Sequence, residues 1–455
     1  MAEHSAESRF NVRAIQSFYL ALFATLAALW LWADTSWVGA QNYFVWRSAL
    51  SNLTGVLGMA AMSVGMILSV RPKRMEPQLG GLDKMYRLHK WLGISGLVLS
   101  VVHWALAKSP GFLIGLGWVA KPGQRVRGEE SVELFKFFLS QRKLAETVGE
   151  YAFYVMCVLL VLALVKRFPY KHFFKTHRWM AVVYLALVLH GVVVMKFNYW
   201  AQPLGLLMAA LMLLGSAAAV VSLFRRVGIH RRAVATVEAL EHHPESQVLR
   251  VDLRLRGQWD GHAAGQFAFI TFDSSEGPHP YTIASAWQDD GHMFFLIKES
   301  GDYTKTLRNS LTVGQSCTVE GPYGHFVFDT DTPRQIWVAG GIGITPFVAR
   351  MRALSAKQTR HTPEVDLFWA TRKVDAEGLR RVKQDAAQAN VRLHLRVDGQ
   401  GDPVDARAIK AAVPGWEQAD IWFCGPAGFG AALRDGLVSS GLAGNRFHQE
   451  LFEMR

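Results

Sequence analysis

Two apolar helices that each carry a pair of histidines constrain this chain more than any other feature. The first lies in RLHKWLGISGLVLSVVHW and holds His89 and His103; the second, THRWMAVVYLALVLHG, holds His177 and His190. The separations are 103 − 89 = 14 and 190 − 177 = 13 residues. At about 1.5 Å per residue these are roughly 21 and 20 Å along a helix. Hydrocarbon is about 30 Å thick, so each helix sets one histidine near each side of a membrane. Fourteen residues is close to four turns, so His89 and His103 project from nearly one face. Thirteen residues stop about 140° short of four whole turns in a straight helix.

Ionisable groups inside membrane spans are costly and usually functional. Two such helices side by side make two tiers of facing imidazoles, the axial ligation of a six-coordinate b-type haem. One flanking histidine reads most simply as an interfacial residue. Two matched pairs predict two haems b, one held by His89 and His177, the other by His103 and His190.

The rest of the composition agrees with a membrane chain. Half of the 455 residues are hydrophobic, concentrated before Phe224, and six spans are expected at 15–33, 49–70, 89–107, 148–165, 176–196 and 204–224. The first apolar run is longer than a signal-peptide core, so it reads as a span. FLIGLGWVA and VELFKFF, in the polar stretch 108–145, read as short interfacial helices. The net charge of +12 sits beside the spans, which points to lipid contact and orientation and not to nucleic acid. Arg71, Lys73, Arg74, Lys84 and Arg87 fall on one side with Lys166, Arg167, Lys171, Lys175 and Arg178, and with Arg225, Arg226, Arg231 and Arg232. The positive-inside rule makes that side cytoplasmic, with both termini there, in a multi-pass protein of a bacterial-type inner or plasma membrane. His89 and His177 are then the inner pair. Cys157, Cys317 and Cys424 form no CxxC pair and are too few for an all-cysteine iron–sulfur cluster.

From about Arg232 the pattern changes to short alternating segments (VATVEAL, VLRVDLRL, GQFAFITF, MFFLIKES, SCTVEGPYG), which predict an antiparallel β-barrel. From Arg334 strands alternate with helices (IWVAGG, ITPFVARMRAL, VDLFWATR, VRLHLRV, ADIWFCGP), the pattern of a parallel α/β sheet that binds nucleotides at its strand C-termini. Gly340-Gly341-Ile342-Gly343-Ile344-Thr345-Pro346 follows an apolar strand and opens a helix, where glycines let backbone approach a pyrophosphate.

With His279-Pro280-Tyr281-Thr282 added, the chain resembles the ferric reductase and NADPH oxidase superfamily, and its second half resembles a ferredoxin–NADP reductase module. The resemblance implies FAD, with Tyr281 and Thr282 at the flavin ring and His279 and Pro280 along the cofactor. It implies that Lys298, Gly301 and Thr304 of IKESGDYT meet the pyrophosphate; many relatives carry arginine where Lys298 stands, so the charge is kept and the fork lost. It implies that Gly340, Gly341, Gly343, Thr345 and Pro346 hold a nicotinamide dinucleotide. Thr371 and Arg372 would meet a 2′-phosphate, favouring NADPH with NADH as the alternative. Cys424, Gly425 and Pro426 would lie beside the nicotinamide. Phe452 would stack on the flavin, with Phe447 as the alternative, and Glu450 would handle a proton near flavin N5 or lie on the surface.

The expected organisation is multidomain: a disordered N-terminal segment (1–13), an α-helical transmembrane haem bundle (14–226), an antiparallel FAD barrel (230–330) and an NAD(P)H-binding α/β domain (333–455). The expected activity is electron transfer from cytosolic NADPH through FAD and the haems to an acceptor on the outer face. O2 giving superoxide is the favoured acceptor. An Fe(III) chelate, a quinone or a partner protein are alternatives, as is a non-enzymatic haem protein that senses nucleotide redox ratio. No obligate cytosolic activator is expected.

Overall fold

The computed structural model describes residues 13–121, 132–165, 167–330, 332–356, 363–373, 375–397 and 403–450. They form two compact units, divided chiefly between Val227 and Gly228.

The first unit is helical: α1 (Arg13–Ala33), α2 (Tyr43–Ser69), α3 (Met75–Gln78), α4 (Leu82–Gly115), α5 (Glu133–Leu164), α6 (Tyr170–His177), α7 (Met180–Val194), α8 (Phe197–Trp200) and α9 (Pro203–Leu223). Among the described residues, six stretches are long and apolar enough to cross a membrane, α6 and α7 counting as one. The protein is a multi-pass membrane protein. Leu20, Val98, Val158, Leu206 and Leu213 are exposed on its helices, as lipid-facing positions must be. Met59, Ala60, Tyr184, Met208 and Met212 form the bundle core.

The helix ends differ from the sequence expectation for local reasons. FLIG and ELFKFF are not separate interfacial helices; they continue α4 and begin α5. α4 runs through Pro110, which cannot donate to the carbonyl of Leu106. Arg47 Nε (2.8 Å) and Ser109 Oγ (2.9 Å) donate to that oxygen instead. α2 starts six residues early, because the Asn42 side chain caps it by accepting from Phe44 N. The fifth span is broken: His177 ends α6, and a turn at Arg178–Trp179 precedes α7.

The second unit opens with a six-stranded antiparallel sheet of β1 (Arg232–His243), β2 (Val248–Arg256), β3 (Phe267–Thr271), β4 (His279–Thr282), β5 (His292–Lys298) and β6 (Ser316–Tyr323), ordered β4-β3-β6-β1-β2-β5. The Ile283–Phe295 bridge joins its two ends, closing a barrel around Val251, Leu253, Ile270, Phe295 and Val319. Helix α10 (Asp302–Ser310) lies between β5 and β6. A five-stranded parallel sheet follows, with β7 (Arg334–Gly340), β8 (Glu364–Thr371), β9 (Val391–Val397), β10 (Asp420–Cys424) and β11 (Phe447–Gln449) in the order β11-β10-β7-β8-β9. Its helices are α11 (Thr345–Ala356), α12 (Ala376–Gln388), α13 (Ala406–Ala412) and α14 (Ala427–Val438). The three-residue β11 is too short to have announced itself in the sequence.

Candidate functional site

In the helical unit the four histidines meet in two pairs. The ring centroids of His89 and His177 lie 6.0 Å apart with planes at 79°. Those of His103 and His190 lie 6.3 Å apart at 88°. Three of the rings are anchored from behind. His89 Nδ1 is 2.9 Å from Gly65 O, His103 Nδ1 is 2.9 Å from Ser51 O, and His190 Nδ1 is 2.8 Å from Ala145 O. A carbonyl only accepts, so each Nδ1 carries the proton and each Nε2 keeps a free lone pair.

The acceptor spacing on α2, 65 − 51 = 14, repeats that of His89 and His103 on antiparallel α4. The rings reach their acceptors because glycines stand one turn beyond two of them. A Cβ at Gly55 would come within 3.3 Å of His103 Cε1, and one at Gly149 would overlap His190 Nδ1. Sequence reading missed Gly55, Gly65 and Gly149; the Ser51-x3-Gly55 and Ala145-x3-Gly149 spacings were the available signal.

This donor set fits haem. A metal between two imidazole nitrogens at about 2.0 Å each, with each ring centre roughly 1.1 Å behind its nitrogen, sets the centroids about 6.2 Å apart. Each pair supplies two donors, and no group of three or more His, Cys, Asp or Glu side chains is gathered for a metal among the described residues. Arg47 is committed to the carbonyls of Leu106 and Ala107.

In the second unit β4 places His279-Pro280-Tyr281-Thr282 along β3, and the His279 ring stacks on Tyr303 with centroids 4.5 Å apart at 21°. Tyr303 lies in the first turn of α10, so the two flavin motifs, at most 304 − 279 = 25 residues apart, become one surface with the α10 N-terminus. Gly301 caps α10, and its N–H donates to Thr304 Oγ1 at 3.0 Å. The amides of that first turn are a natural anion cradle. Burial lowers His279 to about 4, so its imidazole is neutral near pH 7. Lys298 is placed elsewhere: it donates to Ser246 O (3.1 Å) and lines a cleft with Gly341, Ile342 and Thr371.

The glycine-rich turn runs through Gly341–Ile344 into α11, with Thr345 Oγ1 donating to Ile342 O at 2.7 Å and Pro346 in the first turn, where no N–H is needed. Its glycines also serve packing. A Cβ on Gly343 would overlap the Cys424 carbonyl, one on Gly340 would lie 2.7 Å from Pro426 Cδ, and one on Gly425 would lie 3.0 Å from Gly340 Cα. The two motifs therefore touch backbone to backbone where β7 and β10 end.

Cys424 is fully buried, and burial together with nearby Glu450 pushes its thiol well above the ordinary range. Glu450 is only 4 % exposed, so it is not the surface carboxylate of the alternative reading. It lies beside Gly324, whose carbonyl accepts from Gln266 Nε2 at 3.2 Å. Phe452 lies outside the described residues. Phe447 is excluded as the stacking aromatic because it sits in β11, buried against Phe423 in the sheet's core.

Arg372 is exposed after β8, and the Thr371 hydroxyl donates to Lys373 O at 2.9 Å. Lys373 and Trp369, both missed in the sequence, line the cleft, with Trp369 Nε1 donating to Gly341 O at 3.0 Å. Opposite them the Phe294 ring carries two guanidiniums, Arg250 at 4.2 Å and Arg352 at 4.6 Å.

A helical unit with two imidazole pairs, joined to a flavin-type barrel and a dinucleotide-type sheet, defines a transmembrane electron-transfer oxidoreductase. Residues 54–188 match the family described as ferric reductase like transmembrane component, and residues 229–327 match an FAD-binding domain. In that order along one chain these are the matches of the ferric reductase and NADPH oxidase superfamily. The chain is 25% identical over 197 residues to a 2-halobenzoate 1,2-dioxygenase electron transfer component of Burkholderia cepacia, covering 41% of this chain and 58% of that protein. It is 29% identical over 150 residues to a vanillate O-demethylase oxidoreductase of Pseudomonas sp. (strain HR199 / DSM 7063), covering 33% and 45%. It is 26% identical over 196 residues to a flavohemoprotein of Bordetella pertussis, covering 38% and 48%. The chain thus spans about half the length of the curated relatives it matches. Among solved structures, a ferredoxin reductase in carbazole 1,9a-dioxygenase aligns with a TM-score of 0.42 at 22% identity, covering 49% of this chain and 69% of that one. A flavohemoglobin from Malassezia yamatoensis aligns with a TM-score of 0.47 at 16% identity, covering 87% and 94%.

Proposed function

We propose that this protein carries electrons from cytosolic NADPH across a membrane to O2 on the outer face, giving superoxide. Bound in these sites, FAD would convert a hydride's electron pair into single electrons and two b-type haems would relay them through the bilayer. The observation that carries the reading is the pair of imidazole tiers, each spaced for one metal, with the Nε2 lone pairs of His89, His103 and His190 free. His89 and His177 lie nearest the basic loops in sequence and form the inner tier; His103 and His190 form the outer.

Tyr281 and Thr282 hold the flavin ring, and neutral His279 with the α10 amides, Gly301 and Thr304 holds its pyrophosphate. Lys298 adds positive charge at the cleft. Gly340, Gly341, Gly343, Thr345 and Pro346 seat the dinucleotide, while Cys424, Gly425 and Pro426 shape the nicotinamide end. Cys424 acts as a neutral thiol that excludes water, and Glu450 moves a proton near flavin N5. Thr371 and Arg372 read the 2′-phosphate. Phe452 covers the flavin until nicotinamide enters.

The test is purified protein with FAD and NADPH, in wild type and in His103→Leu. Wild type should consume NADPH and generate superoxide. His103→Leu should keep NADPH-driven reduction of the remaining haem and lose superoxide formation. Normal superoxide output from His103→Leu contradicts the path. Slow reoxidation by air with fast reoxidation by an Fe(III) chelate replaces oxygen with ferric iron as acceptor. NADPH bound but never oxidised makes the protein a nucleotide sensor.

A further inference from the structure

We propose that the two haem sites are unequal, with His177 the weaker axial ligand and the inner haem consequently the more oxidising and the more open to ligand exchange. The proposal rests on the reading that the imidazole tiers hold haem. His89, His103 and His190 each donate through Nδ1 to a backbone carbonyl at 2.8 to 2.9 Å. Such a bond fixes the tautomer and ring orientation and makes Nε2 a stronger donor. The Nδ1 of His177 is buried and meets no hydrogen-bond partner among the described residues.

The cause lies in the chain path. His190 sits within α7, on the surface that packs against α5 and finds the Ala145 carbonyl. His177 sits one turn outside α7, at the end of α6 and before the Arg178–Trp179 break. What supports its ring is Phe173, one turn earlier, stacked at 5.1 Å and 23°. An aromatic face steadies the ring and offers no acceptor along Nδ1–H.

The outer tier therefore has two reinforced imidazoles and the inner tier one. A stronger imidazole donor favours ferric over ferrous iron, so the inner haem takes an electron more readily than the outer. Loss of one such supporting bond typically costs about 10- to 100-fold in metal affinity or activity, and the weakened donor predicts exchange at the His177 side.

Anaerobic redox titration of the full-length, FAD-loaded protein, followed by carbon monoxide addition to the dithionite-reduced form, tests this. Two components of equal amplitude should resolve. The higher-potential one should disappear in His177→Leu and be the sole survivor in His103→Leu, and either variant suffices if the other fails to fold. Carbon monoxide should bind that component at least about ten-fold faster than the other. The proposal is overturned if the survivor in His103→Leu is the lower-potential component, or if both components share one potential and bind carbon monoxide alike. Fewer than two haems per chain would instead refute the haem assignment itself.

Discussion

At the scale of single residues, the histidines were legible because their 14- and 13-residue spacings translate directly into membrane depth, while the turn at Arg178–Trp179 that separates His177 from the helix of His190 was not. What supports them was not. Glycines are frequent in membrane helices, and only packing reveals that Gly149 stands where a side chain would strike His190 Nδ1. Gly149→Ala is expected to halve the haem content, from two per chain to one, by displacing His190 while leaving His89 and His177 in place. The pyridine haemochrome ratio of haem to protein measures it. In the reductase half, the sequence pattern proposes Arg372 as a phosphate contact, whereas Lys373 and Trp369 belong to the cleft only through the fold. A charge-assisted hydrogen bond contributes about 1.5 to 3 kcal/mol, so Arg372→Ala is expected to raise KM for NADPH about 10- to 100-fold. KM for NADH should scarcely change; an equal rise for both nucleotides would remove Arg372 from 2′-phosphate recognition.

At the scale of elements, span existence was clear from hydropathy, but span ends were set by individual hydrogen bonds. α4 passes Pro110 because Arg47 and Ser109 satisfy the carbonyl that proline leaves open, a rescue no local pattern encodes. A second such case joins the turn after α1 to the turn after α7. Asp34 is buried and accepts hydrogen bonds from Lys196 Nζ (2.6 Å), Ser36 Oγ (2.6 Å) and the Tyr199 hydroxyl. Burial pushes its carboxyl upward, yet these bonds outweigh it and hold the group at about 2, below its usual 3.8. A depressed carboxyl stabilises the fold fully above its unfolded value and loses that contribution as pH falls toward the folded one. Thermal stability in detergent should therefore drop between about pH 4 and pH 2 in wild type. Asp34→Asn should lower stability by about 1 to 3 kcal/mol at neutral pH and flatten that acid limb. An unaltered acid limb in Asp34→Asn would assign it to other carboxylates.

At the scale of the whole molecule, the order of a helical unit, a barrel and a parallel sheet follows from three hydrophobic periods read along the chain. The basic clusters beside the spans give the proposed orientation, reductase half inside and the His103–His190 tier outside. In sealed proteoliposomes, added NADPH should reach only outward-facing reductase halves, and superoxide should then appear in the lumen. Superoxide detected on the NADPH side alone would contradict transmembrane transfer. The most direct test of the account is anaerobic NADPH reduction of the purified, FAD-supplemented protein, followed by visible spectroscopy. The account predicts a b-type haem spectrum whose Soret band shifts and α-band sharpens on NADPH addition. A protein with no haem spectrum, or with haem that dithionite reduces and NADPH never does, would contradict it.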